Sequence, residues 1–181
     1  MAFRSEFRLS GSGGQGLILA GKILAEAAAI YDGKNATQSQ SYGPEARGGS
    51  SRSEVIISDV EIDYPKAINI DLLLAFTQEA CDKYYKDVKE NGMLLVDSGY
   101  VTKVPKGNFK VFSVPITNIA EKEIGKALVA NIVALGIVTE LTSIVSKEAV
   151  ESAILSRVPK GTEELNLKAF RTGINTAQKL K

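Results

Sequence analysis

Histidine and tryptophan are absent from this chain, and Cys81 is its one cysteine. Without an imidazole there is no Ser-His-Asp relay. A structural zinc site draws on several Cys and His ligands, and an iron–sulfur cluster on several thiolates, so this chain assembles neither. An intrachain disulfide is excluded as well, which fits a reducing cytoplasm. An excess of either charge is also lacking. The 22 basic and 21 acidic residues leave a formal net charge of +1, with no long run of either sign. Nothing therefore points to nucleic acid or an anionic membrane as a partner. Long apolar runs are lacking too. The most apolar window, residues 127–138, is bounded by Lys126 and Glu140 and falls short of the roughly 20 residues a membrane span needs. It is expected as a buried helix. The first residues carry Arg4, Glu6 and Arg8 rather than the apolar stretch of a secretory signal, so a cytoplasmic location is expected.

What is present is ordinary globular material: 181 residues, 44% hydrophobic and 24% charged. One domain with one substantial core is the expectation. The apolar periodicity predicts a strand over 6–11 and a helix over 14–30, separated by glycines. A second strand follows over 35–41, then a Gly/Pro loop over 43–50 and a strand over 52–58. Residues 60–64 could pair with that strand as a hairpin ending at Pro65. A strand over 71–76, a helix over 78–88 and a strand over 92–96 restore strand–helix–strand alternation, which implies a largely parallel sheet. A strand over 110–114 precedes helices over 116–124, 127–141, 147–155 and 163–179. Ser146 and Thr162 are expected to cap the last two. The predicted class is α/β: a single domain over 1–181, a mostly parallel sheet flanked by helices, with a Rossmann-like start and an antiparallel hairpin.

Two motifs could carry chemistry. Gly11-Ser12-Gly13-Gly14-Gln15-Gly16 has G-x-G-x-x-G spacing between a predicted strand and a predicted helix. Glycines there allow positive φ and close backbone approach, and the helix start offers N–H groups to an anion. A dinucleotide site would also need an acidic residue at the end of the second strand, roughly 20 positions on. Asp32 has the distance but sits before that strand, whose end, Ser39-Gln40-Ser41, is not acidic. An independent nucleotide-dependent oxidoreductase thus stays open beside a plain tight turn. The second motif runs Gln40-Ser41-Tyr42-Gly43-Pro44-Glu45-Ala46-Arg47-Gly48-Gly49 and continues into Ser50-Ser51-Arg52. Pro44 and the paired glycines would present Arg47 from a defined turn. Its guanidinium suits a carboxylate or phosphate, or else a Glu45 pair or a neighbouring subunit. Asn131, in an apolar helix, must find partners and could support a glycine loop. Cys81 is expected as a small core hydrophobe.

Taken together, GSGGQG at 11–16, QSYGPEARGG at 40–49, the Ser53-Glu54-Val55 strand opening, Ile62-Asp63-Tyr64-Pro65 and LVANIVALG at 128–136 resemble one family. It is the gamma subunit or domain of 2-oxoacid:ferredoxin oxidoreductases. The resemblance implies an enzyme that oxidatively decarboxylates a 2-oxoacid, forms an acyl-coenzyme A and passes electrons to ferredoxin, with 2-oxoglutarate slightly favoured over pyruvate. It implies that thiamine diphosphate, Mg2+ and iron–sulfur clusters sit on partner subunits, thiamine-binding alpha/beta-type chains and a ferredoxin-like chain. Coenzyme A is the implied co-substrate, and the isolated chain could form a homodimer. Under this resemblance, residues 11–16 and 41–49 face the active site or a subunit, Arg47 is the anion contact, and no residue has an acid–base role. A purely structural scaffold is the remaining alternative.

Overall fold

A computed structural model describes residues 2–42 and 50–181. β1 (Arg4–Ser12) leads through the glycine turn into α1 (Leu17–Glu26), which continues as one π-helical turn, Ala27–Tyr31. β2 (Asn35–Tyr42), β3 (Ser50–Ser58) and β4 (Ile70–Ala75) follow, then α2 (Gln78–Tyr84) with a short 3-10 turn, β5 (Val88–Asp97) and β6 (Lys110–Val114). The last third is helical: α3 (Ile116–Ile119) extended by a π turn, α4 (Ala130–Thr142) entered through a 3-10 turn at Ala127–Val129, α5 (Lys147–Arg157) and α6 (Glu163–Gln178).

The strands form one six-stranded sheet in the order β2-β3-β1-β4-β5-β6. β1, β4, β5 and β6 are parallel, and β3 is antiparallel to both β1 and β2. The Rossmann-like start is therefore modified, because β3 is inserted between the first two strands. Period-two alternation sorts the side chains. Phe7 and Leu9 of β1, with Leu72 and Leu74 of β4, join the core shared with α1, α4, α5 and α6. Leu73, Ala75, Leu94 and Val96 face the opposite side, against Ala80, Cys81 and Tyr84 of α2. β4 is apolar on both faces, as a central parallel strand must be.

The predicted hairpin exists with different partners. Residues 60–64 form no strand, because β1 and β2 already occupy both edges of β3. The segment is held instead by β1 side chains. The Arg4 guanidinium donates to the carbonyls of Tyr64 (2.7 Å) and Lys66 (3.1 Å), and the Glu6 carboxylate accepts from the N–H groups of Ile68 and Asn69. β2 and β3 supply the antiparallel pair. Ser146 caps α5 as expected, its Oγ accepting from Ala149 N at 3.2 Å. Thr162 does not cap α6 with its side chain, since its hydroxyl donates to the Pro159 carbonyl at 2.6 Å.

Candidate anion and subunit site

β1 ends where the sheet changes direction of construction: β3 lies on one side and the chain's later strands on the other. In open α/β sheets the crevice beyond the carboxyl ends of strands at such a point is where ligands sit. The glycine turn occupies it. Gly14 and Gly16 have φ of 86° and 74°, conformations that side chains rarely adopt. The Gln15 carboxamide folds back so that its oxygen accepts from Ser12 N at 2.8 Å. A Cβ on Gly11 would meet that oxygen at 2.2 Å, so a side chain there would displace the Gln15 carboxamide from Ser12.

Asn131 holds the turn from below. Its Nδ2 donates to the Gly16 carbonyl at 3.0 Å, and its Oδ1 accepts from Ile132 N at 2.9 Å. The asparagine expected to support a glycine loop does so, from the first turn of α4. Beside the turn lies a cavity of about 310 Å³ lined by Gly14, Gln15, Phe76, Tyr100, Thr117 and Leu128, among others. Tyr100 and Leu128 stand at 55% and 76% exposure, large apolar groups left for something to cover.

The helix ends around this cavity are treated differently. α3 is capped by Asp97, a fully buried carboxylate at the end of β5 that accepts from Thr117 N (3.0 Å), Thr117 Oγ (2.5 Å) and Gly99 N (3.1 Å). Among the described residues, α1 and α4 have no side-chain cap and no acidic residue in the first turn. The start of α1, at the positive end of its dipole, is thus open to an anion, whereas at α4 the Asn131 carboxamide takes the Ile132 N–H and the Ala127 carbonyl takes the Ala130 N–H.

The second motif reaches the same end of the sheet through register. Tyr42 pairs with Ser51, which pairs with Gly11; Ser41 pairs with Arg52, which pairs with Ser10; and Ser50 pairs with Ser12. Gly43, Pro44, Glu45, Arg47, Gly48 and Gly49 lie outside the described residues. Asp32 is committed elsewhere. Its carboxylate accepts from Ser146 N and Ser146 Oγ, each at 2.7 Å, and pairs with Lys34. Partial burial raises its pKa, but the Ser146 hydrogen bonds and Lys34 together hold it below the usual carboxylate value. It ties the end of the α1 segment to α5 and does not reach the glycine turn as a ribose ligand would. Cys81 is buried in the α2 core. Burial, reinforced by Asp82, pushes its thiol from 9.0 up to about 11.

Residues 6–176 match the model of the pyruvate ferredoxin/flavodoxin oxidoreductase family. The chain belongs to that family. It is 57% identical over 179 residues to the 2-oxoglutarate synthase subunit KorC of Methanocaldococcus jannaschii, covering 98% of this chain and 96% of the relative. The gamma subunit of a keto/oxoacid ferredoxin oxidoreductase from Geobacter sulfurreducens superposes with a TM-score of 0.88 at 60% identity, over 97% of this chain and 99% of that one. The 2-oxoglutarate:ferredoxin oxidoreductase of Magnetococcus marinus shares the fold, with a TM-score of 0.87 at 23% identity, over 98% of this chain and 32% of that longer one.

Within this oxidoreductase chain, sequence reasoning missed Phe76, Asp97, Tyr100, Thr117 and Leu128. Asp97 closes a strand and precedes Ser98-Gly99, which reads as ordinary turn chemistry. Its role as the α3 cap depends on a contact 20 residues away. Tyr100 and Leu128 carry no local signal, and they line one cavity because β5 ends and α4 begins at the same crevice.

Proposed function

We propose that this chain is the gamma subunit of a 2-oxoglutarate:ferredoxin oxidoreductase, and that its glycine crevice receives the anionic part of coenzyme A at the junction with the thiamine-binding subunits. In that reaction the carbon–carbon bond beside the 2-oxo group breaks and CO2 leaves. The acyl group is transferred to the thiol of coenzyme A, an electron pair passes to ferredoxin, and the thiol proton is released. Strong identity to KorC over the whole chain supports 2-oxoglutarate. The observation that carries the site reading is the uncapped start of α1, tied to α4 by Asn131 beside a partly apolar cavity. The named Magnetococcus marinus enzyme has 2-oxoglutarate, coenzyme A and succinyl-CoA bound.

This chain's residues bind and orient, and they do not transfer protons. Its donor set does not fit an iron–sulfur cluster, because the lone thiol is buried and held protonated. Nor does any group of His, Cys, Asp or Glu among the described residues fit a metal ion. In this reading thiamine diphosphate, Mg2+ and the clusters belong to the partner subunits, ferredoxin is the acceptor and the cytoplasm is the compartment.

Arg47 is the proposed anion contact, since its loop leaves β2 at Tyr42 and rejoins at Ser50 beside Ser12. Arg47→Ala in the assembled complex should raise KM for coenzyme A or 2-oxoglutarate about 10- to 100-fold, as loss of a charged hydrogen bond predicts. Normal assembly with both KM values unchanged would refute the anion contact. Faster dye reduction with pyruvate than with 2-oxoglutarate would refute the substrate.

A further inference from the structure

The two edges of the sheet differ. β6 is a five-residue strand that opens on Lys110, the short, charged kind of edge that resists further pairing. β2 has none of these protections. Its eight residues, Asn-Ala-Thr-Gln-Ser-Gln-Ser-Tyr, contain no charge and no proline. Its register with β3 runs from Asn35 to Tyr42 without a bulge. Among the described residues nothing in the sheet lies beyond it, so half of its backbone N–H and C=O groups face outward. The π turn that feeds it adds Ile30 and Tyr31, 67% and 44% exposed.

We propose that β2 is a self-association edge, on which β2 of a second copy of this chain pairs antiparallel about a twofold axis through Ser39. The sequence of the strand favours a copy of itself. In that register Ser39 meets Ser39, Thr37 meets Ser41, Gln38 meets Gln40, and Ala36 meets Tyr42 along the backbone. No like charges face each other. Hydroxyl meets hydroxyl and amide meets amide, pairings that stabilise cross-strand neighbours. The twofold makes the contact self-complementary and closed, so it ends at a dimer instead of growing into a fibre. The two sheets become one continuous sheet, and each glycine crevice stays outside the seam because β3 and β1 intervene.

The axis position makes a sharp test, using the full chain. Ser39→Cys places two thiols opposite each other and should give a dimer on mild oxidation, seen on a non-reducing gel. Thr37→Cys should not, whereas Thr37→Cys combined with Ser41→Cys should. Native Cys81 is buried and gives no background. Ser39→Lys sets two ammonium groups on the axis and should shift sedimentation from dimer to monomer, with unchanged circular dichroism confirming the fold. A wild-type chain that sediments as a monomer and a Ser39→Cys chain that stays uncrosslinked would together overturn the proposal and leave the edge to a strand of another subunit. Crosslinking by Thr37→Cys alone would overturn the register.

Discussion

At the scale of the residue, two glycines in one turn differ in what they tolerate. Gly14 has a positive φ but open space where a Cβ would go, whereas Gly16 combines a positive φ with Asn131 Nδ2 at 2.4 Å from that position. Gly14→Ala should therefore cost only backbone strain, about 1–2 kcal/mol. Gly16→Ala should cost about 2–4 kcal/mol, because crowding and displacement of Asn131 add to the strain. The denaturant midpoints of the two variants measure the difference, and equal losses would mean that Asn131 does not lock the turn. Cys81 gives a second residue-scale expectation. Its thiol, pushed from 9.0 up to about 11 by burial and then by Asp82, remains protonated at neutral pH. Because the folded value is the higher one, its stabilising contribution is complete below pH 9. About 2–3 kcal/mol is then lost as pH rises toward 11. A thiol reagent at pH 8 should label Cys81 only on unfolding, and rapid labelling of the native chain would contradict the burial. The glycine spacing and the need of Asn131 for a partner were both legible in the sequence. The partner itself was not, since Gly16 lies 115 residues away from Asn131.

At the scale of the element, periodicity located every strand and helix core, and tertiary competition decided what it could not. Residues 60–64 alternate well enough for a strand, yet the strand they would join has both edges filled. Likewise Asp32, at a dinucleotide-like distance from the glycines, is claimed by Ser146 at the start of α5. The crossing of α4 and α6 was also invisible locally, because it depends on two glycines far apart in the chain. A Cβ on Gly136 would meet the Phe170 carbonyl at 2.2 Å, and one on Gly173 would meet the Val133 carbonyl at 2.0 Å. Both obstacles are backbone, so neither can rotate away, and the helices must separate to admit a methyl group. Gly173→Ala should cost about 3 kcal/mol or more, at the upper end of overpacking losses and despite the better helix propensity of alanine. Thermal or chemical denaturation would measure it, and a gain in stability would show that the helices are not in backbone contact. Because α4 also carries Asn131, the same variant should loosen the glycine turn.

At the scale of the whole molecule, two places on the described surface stand out as unexplained by folding. One is the crevice end of the sheet, with the uncapped start of α1 and the exposed Tyr100 and Leu128; the other is the β2 edge. The interior, by contrast, is satisfied: among the described residues no buried side-chain nitrogen or oxygen lacks a partner. Even Arg8, 5% exposed, has Glu54 and Asp87 as counter-charges and the Tyr84 ring 4.9 Å away. A chain that is complete inside and incomplete at its surface suits a subunit whose chemistry is assembled from several chains. The isolated chain should therefore fold cooperatively yet reduce no dye with 2-oxoglutarate and coenzyme A. Mixing it with the other subunits of its complex should restore dye reduction in proportion to the chain added, up to stoichiometry. Leu128→Glu would place a carboxylate, which an anion-binding crevice disfavours, on a side chain that is 76% exposed and whose replacement costs the isolated fold little. It should lower the restored activity while leaving the melting temperature of the free chain unchanged. If that variant restored activity as well as the wild type, the crevice would not be where the subunits and substrate meet, and the β2 edge would remain as the chain's candidate contact.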